Sequence, residues 1–187
     1  MTAEDLFRRF TRALDRAGIL YMLTGSFASA YHGVPRATQD IDLVIAPTAD
    51  QIRALRELLP DSEYYFDLES ALEAMRHETQ CNVIDFATGW KVDLIIRRSR
   101  PFSREEFDRR SAIDLHGVRL FIASAEDVLI AKLEWAKIGG SHRQIEDAAG
   151  ILRLREGLDR TYVERWVREL QIGPQWEAAR SLAGESR

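Results

Sequence analysis

The apolar residues change period once along this chain, and that change limits the fold more than any other feature. Up to about residue 122, helical and strand-like segments alternate, whereas from Ser124 onward no strand signal remains. Residues 4–17 place Leu6, Phe7, Phe10, Leu14 and Ala17 at three- and four-residue spacing, the pattern of an amphipathic helix, and Gly18 ends it. The run Ile19–Leu23 breaks at Thr24-Gly25-Ser26 before the small-residue stretch Phe27–Tyr31, which reads as strand, tight turn and short helix. Asp40–Ala46 is a second strand and Asp50–Leu59 a second amphipathic helix. Residues 67–77 read as a helix, and Cys81–Phe86 and Lys91–Ile96 as strands of a hairpin joined across Ala87-Thr88-Gly89-Trp90. Ser103 reads as the N-cap of a helix with Glu106 at the capping-box position. Ser111–Leu115 and Val118–Ile122 form a smaller ribbon about His116-Gly117. Ser124-Ala125-Glu126-Asp127 caps the first of four further helices, with Gly139-Gly140 between the first two and the last two near 159–171 and 174–183. The expectation is an α/β (α+β) fold: a small mixed sheet flanked by helices over 1–123, then a helical bundle over 124–187.

Composition removes several function classes. The 187 residues are 45% hydrophobic and 30% charged, which is ordinary globular usage and excludes a disordered or collagen-like chain. With 26 Lys plus Arg against 30 Asp plus Glu, the net charge of -4 argues against indiscriminate DNA coating. A local basic patch can still bind a nucleotide or RNA. The lone Cys81 cannot form an intramolecular disulfide and is expected to pack as a small apolar side chain. No apolar run approaches the roughly 20 residues of a membrane span, and MTAEDLFRRF lacks the apolar core of a signal peptide. The expected location is cytoplasmic.

Asp40 and Asp42 flank Ile41 on a predicted strand, so the two-residue period points both carboxylates to one face. Like charges side by side are unfavourable unless something positive lies between them, and a hard divalent cation such as Mg²⁺ suits carboxylate oxygens. Asp93 lies between Val92 and Leu94 in another strand, and three carboxylates converge if the strands are adjacent. The competing reading is a solvated strand end. Gly25-Ser26, at the end of a strand and the start of a helix, offers backbone N–H groups and a hydroxyl to a phosphate, or is a plain turn with a cap.

The stretch LTGSFASAYHGVPRATQDIDLVI resembles the signature of the DNA polymerase beta-like nucleotidyltransferase superfamily: Gly-Ser, then Asp-x-Asp, with a third Asp on a later strand. Thirteen residues separate Ser26 from Asp40. Within that superfamily the chain is most similar to the AbiEii-like branch of type IV toxin–antitoxin systems, through His32, Gly33, Arg36, Thr38, Asp40, Ile41, Asp42 and Leu43. Glu126-Asp127-Val128 leading to Lys132-Leu133, with Arg143 and Asp147 beyond, resembles the branch's helical motifs more loosely. Gln144 stands where the first aspartate of the second helical motif is expected.

The resemblance implies transfer of a nucleoside monophosphate from an NTP to an acceptor, with release of pyrophosphate. Residues 1–123 would be the catalytic domain and 124–187 a helical domain. Asp40, Asp42 and Asp93 would bind Mg²⁺ or Mn²⁺, with Asp93 also taking the acceptor's proton. Gly25 and Ser26 would bind the β- and γ-phosphates, Lys132 the triphosphate, and Arg36 and Arg143 phosphate or acceptor. RNA or protein is the implied acceptor and a separately encoded antitoxin the implied partner. A small-molecule (antibiotic) adenylyltransferase and a non-catalytic nucleotide- or partner-binding module of the same fold are the alternatives. Each role has a structural competitor: Lys132 as a solvated outer-face lysine, Arg36 as a partner for a nearby acid, Asp85 as a rival third carboxylate. His32 reads as a helix C-terminal contact, and Tyr64, Tyr65 and Phe66 as a partly buried loop cluster.

Overall fold

A computed structural model describes residues 3–38, 40–115 and 117–185. The chain divides into two compact units. One comprises the chain up to Thr24 together with Thr38–Ile122, and the other Gly25–Ala37 together with Ala123–Arg187.

The first unit is built on one mixed sheet of seven strands, β1 (Tyr21–Thr24), β2 (Asp40–Ile45), β3 (Tyr64–Tyr65), β4 (Gln80–Asp85), β5 (Lys91–Ile96), β6 (Ser111–Leu115) and β7 (Val118–Ile122). Their order is β3-β4-β5-β2-β1-β7-β6. The hairpin β4–β5 forms as its turn residues predict, and β2 pairs β5 in parallel and β1 antiparallel. Central placement explains the DIDLVI run: Ile41, Leu43, Val44 and Ile45 are buried and only the aspartates keep solvent contact. Four of the described helices belong to this unit: α1 (Ala3–Arg16), α3 (Ala49–Leu58), α4 (Leu68–His77) and α5 (Pro101–Asp108). Leu6, Phe10 and Leu14, the predicted stripe of α1, are buried, as are Ile52 and Leu55 of α3. Thr48 and Gln51 close a capping box at the start of α3.

Three local expectations are corrected. Thr24-Gly25-Ser26 is not a separate turn: α2 (Gly25–His32) begins at Gly25, whose φ of +63° is open to glycine at no steric cost. Helix α5 starts at Pro101 with Arg100 as its N-cap, not at Ser103; proline has no N–H to leave unsatisfied in a first turn, and Ser103 Oγ accepts from Arg100 Nε at 3.0 Å. Tyr64–Tyr65 is a short edge strand on β4, with Tyr64 and Phe66 buried and Tyr65 exposed. In the ribbon β6–β7, His116 of the predicted turn lies outside the described residues.

The second unit is helical: α2, α6 (Ala125–Gly139), α7 (His142–Leu154), α8 (Arg160–Glu169) and α9 (Gly173–Ala183). Helix α2 packs on α6 and α7, although more than ninety residues separate it from them in sequence. The contact is backbone-close at Gly33, where a Cβ would lie 2.9 Å from Ile151 N and 3.0 Å from Gly150 C. Ser124 caps α6 by accepting from Asp127 N at 3.1 Å, and Asp127, fully buried, also accepts from Tyr162 Oη of α8. Gly140 ends α6 in the left-handed conformation. Among the described residues, no helix is long and apolar enough to cross a membrane.

Candidate active site

Register assembles the acidic cluster of the first unit. In β2 and β5, Asp40 lies opposite Lys91 and Asp42 opposite Asp93, and partners in adjacent strands share a face. The same register puts Asn82 of β4 beside Asp93 and Thr24 of β1 beside Asp42. The result is a polar row, Asn82-Asp93-Asp42-Thr24, across four strands. Asp40 and Lys91 form the next row on that face. Asp93 is buried, Asp42 half-buried and Asp40 exposed. The three predicted carboxylates therefore do share one sheet face.

The positive charge between them is Lys91. Its Nζ lies 3.0 Å from Asp93 Oδ2 and 3.7 Å from Asp40 Oδ1. The hydrogen bond to Asp93, then the two carboxylate charges, raise the ammonium above the usual lysine range against a smaller opposing effect of burial. Sequence reasoning missed Lys91, yet it stands two residues before Asp93, so strand parity alone assigns it to the same face. Among the described residues, no three His, Cys, Asp or Glu side chains lie together in a group that could by itself hold a metal ion.

Asp85, the rival third carboxylate, does not share that face. It stands three residues after Asn82 on β4, so it faces away from Asp93. There it is buried, paired with Arg9 Nη2 of α1 at 2.9 Å, and it accepts from Thr88 N and Oγ1 in the β4–β5 turn. Arg9 also donates to Tyr64 Oη at 3.0 Å. Cys81 is half-buried, and burial pushes its thiol up to about 11, unsuited to nucleophilic work.

In the second unit, Asp147 of α7 gathers two of the predicted phosphate-binding residues, Arg36 and Lys132. Arg36 Nε and Nη2 approach its two oxygens at 3.1 and 3.2 Å, and Lys132 Nζ of α6 donates to Oδ2 at 2.8 Å. Arg36 Nη2 also donates to Ser26 Oγ near the start of α2. Lys132 is 4% exposed, so it is not a solvated outer-face residue; α6 turns it toward α7. Burial alone would raise the Asp147 carboxyl, but Lys132 and then Arg36 outweigh it and hold it below the usual carboxylate range. Arg143 is exposed, one helical turn before Asp147. His32, at the end of α2, is buried against Ala123 and Arg155. Arg155 Nη2 donates to Nδ1 at 2.8 Å, so the proton sits on Nε2 and is donated to the Ala123 carbonyl at 2.8 Å. That is a structural tautomer, as expected of a helix-end contact.

The mixed sheet with flanking helices followed by a helical bundle is the nucleotidyltransferase fold. Solved structures with this likeness include ANT(2")-Ia in complex with adenylyl-2"-tobramycin, 13% identical over 91% of this chain and 98% of that one, with a TM-score of 0.62. An antigenic nucleotidyltransferase-like protein from Paracoccidioides brasiliensis is 18% identical, covering 96% and 93% of the two chains at a TM-score of 0.52. The solution structure of the antibiotic-resistance factor ANT(2'')-Ia matches at 12% identity, 96% and 88% coverage and a TM-score of 0.51. No protein-family profile matches the chain. No curated relative matches it in sequence.

Proposed function

We propose that this chain is a metal-dependent nucleotidyltransferase that moves a nucleoside monophosphate from an NTP to an acceptor. The observation that carries the reading is the placement of Asp40, Asp42 and Asp93 on one sheet face, with Lys91 as the cation among them. A solvated strand end would not explain a buried carboxylate beside a half-buried one. The donor chemistry suits Mg²⁺ or Mn²⁺: the ligands are hard oxygens, a cation already sits among them, and Mg²⁺ is commonly held by one or two carboxylates plus substrate phosphates, without a complete protein cage. Asp40, Asp42 and Asp93 would hold it, and when bound it would polarise the phosphoryl oxygens and offset the charge of departing pyrophosphate.

In the reaction, an acceptor oxygen bonds to the α-phosphorus as the α–β phosphoanhydride breaks, pyrophosphate leaves, and Asp93 takes the acceptor's proton. Gly25 and Ser26 bind the β- and γ-phosphates through the first turn of α2. Lys132 and Arg36, held by the shared Asp147 carboxylate, contribute positive charge toward the triphosphate, and exposed Arg143 meets the acceptor. The carboxylate chemistry belongs to the domain over 1–123, and Lys132 and Arg143 come from 124–187. By the AbiEii-like motif the acceptor is RNA or protein and a separately encoded antitoxin is the partner. The fold likeness to ANT(2")-Ia favours a second reading in which the acceptor is a hydroxyl-bearing antibiotic.

Incubation of the protein with each α-³²P-labelled NTP, Mg²⁺ and either total cellular RNA, a protein extract or an aminoglycoside panel tests this. Label should move to one acceptor class with wild type and not with Asp42→Ala. Absence of metal-dependent transfer and of pyrophosphate release with every acceptor would refute the enzyme.

A further inference from the structure

Lys91 is a charged group on the acidic face that the proposed chemistry does not use. Its ammonium stands 3.0 Å from Asp93 and 3.7 Å from Asp40, the same carboxylates that a divalent cation would use. Its side chain is 37% exposed, against 11% for that of Asp93, so the ammonium can move out to water while the carboxylate stays. Strand register fixes the backbone of both, so only the flexible lysine side chain needs to move. A structural ion pair would serve one acid; Lys91 spans two of the three.

From this geometry we propose that Lys91 is a resident counter-cation of the metal site: it offsets part of the charge of Asp93 and Asp40 in the nucleotide-free protein, competes with a divalent ion there, and yields when nucleotide phosphates bring further ligands. The inference rests on the reading of Asp40, Asp42 and Asp93 as metal ligands. Lys91 is thus a positioning residue that makes metal loading depend on nucleotide. A doubly charged ion with phosphate ligands outcompetes a single ammonium, while the same ion without nucleotide has only the carboxylates and must displace the lysine.

Mn²⁺ binding to the free protein, followed by the electron paramagnetic resonance signal of unbound ion, tests it without any turnover. Lys91→Met should bind Mn²⁺ at least about tenfold more tightly than wild type, a change of about 1.4 kcal/mol. The tightening that a non-hydrolysable NTP analogue produces in wild type should shrink in the variant. Lys91→Arg, which keeps the charge, should stay near wild type. A melt in EDTA and in Mg²⁺ gives a second readout: the divalent-induced rise in Tm should be larger for Lys91→Met, and Lys91→Gln replaces that variant if it does not fold. Equal or weaker Mn²⁺ binding by Lys91→Met, with wild type binding normally, would overturn the counter-cation role and leave the metal reading standing. No Mn²⁺ binding by any variant, with or without nucleotide, would overturn both.

Discussion

Gly33→Ala tests whether the short helix α2 truly docks by its backbone on α7. A Cβ at this position would lie 2.9 Å from Ile151 N, 3.0 Å from Gly150 C and 3.1 Å from Ile151 Cγ1. Ordinary contact begins near 3.4 Å, so the two segments must part by about half an ångström. Two of the three obstructing atoms are backbone and cannot rotate away. The cost belongs at the upper end of overpacking, about 2–3 kcal/mol. For a chain of this size that lowers Tm by about 5–10 °C. Two neighbours calibrate the result. Gly150→Ala meets chiefly the Val34 side chain, Cγ2 at 3.2 Å, and Val34 is exposed, so about 1 kcal/mol is expected. Gly139→Ala meets nothing within 4 Å on the last turn of α6 and should gain about 0.5–1 kcal/mol through reduced unfolded-state freedom. Differential scanning calorimetry of the three variants orders them. A Gly33→Ala protein that melts with wild type would refute the backbone contact.

Asp85→Asn, which breaks a buried pair with Arg9, should cost about 2–3 kcal/mol in urea unfolding and leave Mn²⁺ affinity unchanged, whereas Asp93→Asn should weaken Mn²⁺ binding at least about tenfold; the reverse assignment would follow if Asp85→Asn alone lost the ion. Burial holds His32 below its ordinary range, so the unfolded chain binds the proton more readily; its stabilising contribution is present above about pH 6.5 and is lost as pH falls below it, and a Tm-against-pH curve for His32→Gln should be flatter between about pH 5 and 7 than that of wild type. Ser124→Ala removes the cap of α6 and should cost about 1 kcal/mol by denaturant titration, with Ser124→Gly costing a few tenths; a Ser124→Ala protein as stable as wild type would show that the cap bond from Asp127 N contributes little.

The elements legible in the sequence are those whose signals are local. Strands β2 and β5 follow from runs of branched apolar residues, α3 and α6 from Thr48 and Ser124 at their caps, and the β4–β5 hairpin from Ala87-Thr88-Gly89-Trp90. What escaped is set by partners distant in the chain. Two-residue β3 is a strand only because β4 offers it an edge, and no two residues carry a period. The membership of α2 in the helical unit depends on Gly33 and Gly150 permitting close approach, a property of a pair about 120 residues apart. Asp147 shows the same limit: its position in α7 was plain, but Arg36 and Lys132 reach it from two other segments.

Strand parity decides which acid joins the site, and it does so without reference to distance. Asn82 and Asp85 lie on one strand three positions apart and therefore face oppositely, while Lys91 and Asp93, two apart, face alike. A one-residue slip between β2 and β5 would put Asp93 beside Ile41 or Leu43 and carry a carboxylate into the apolar face, so the buried Ile41, Leu43, Val92 and Leu94 that oppose such a slip also fix the acidic row. Carboxylates directly opposed on neighbouring strands cost up to about 1 kcal/mol each. The core of the sheet therefore holds together a cluster that its own charges would disperse, and Lys91 on the same face supplies countercharge to Asp93 and Asp40.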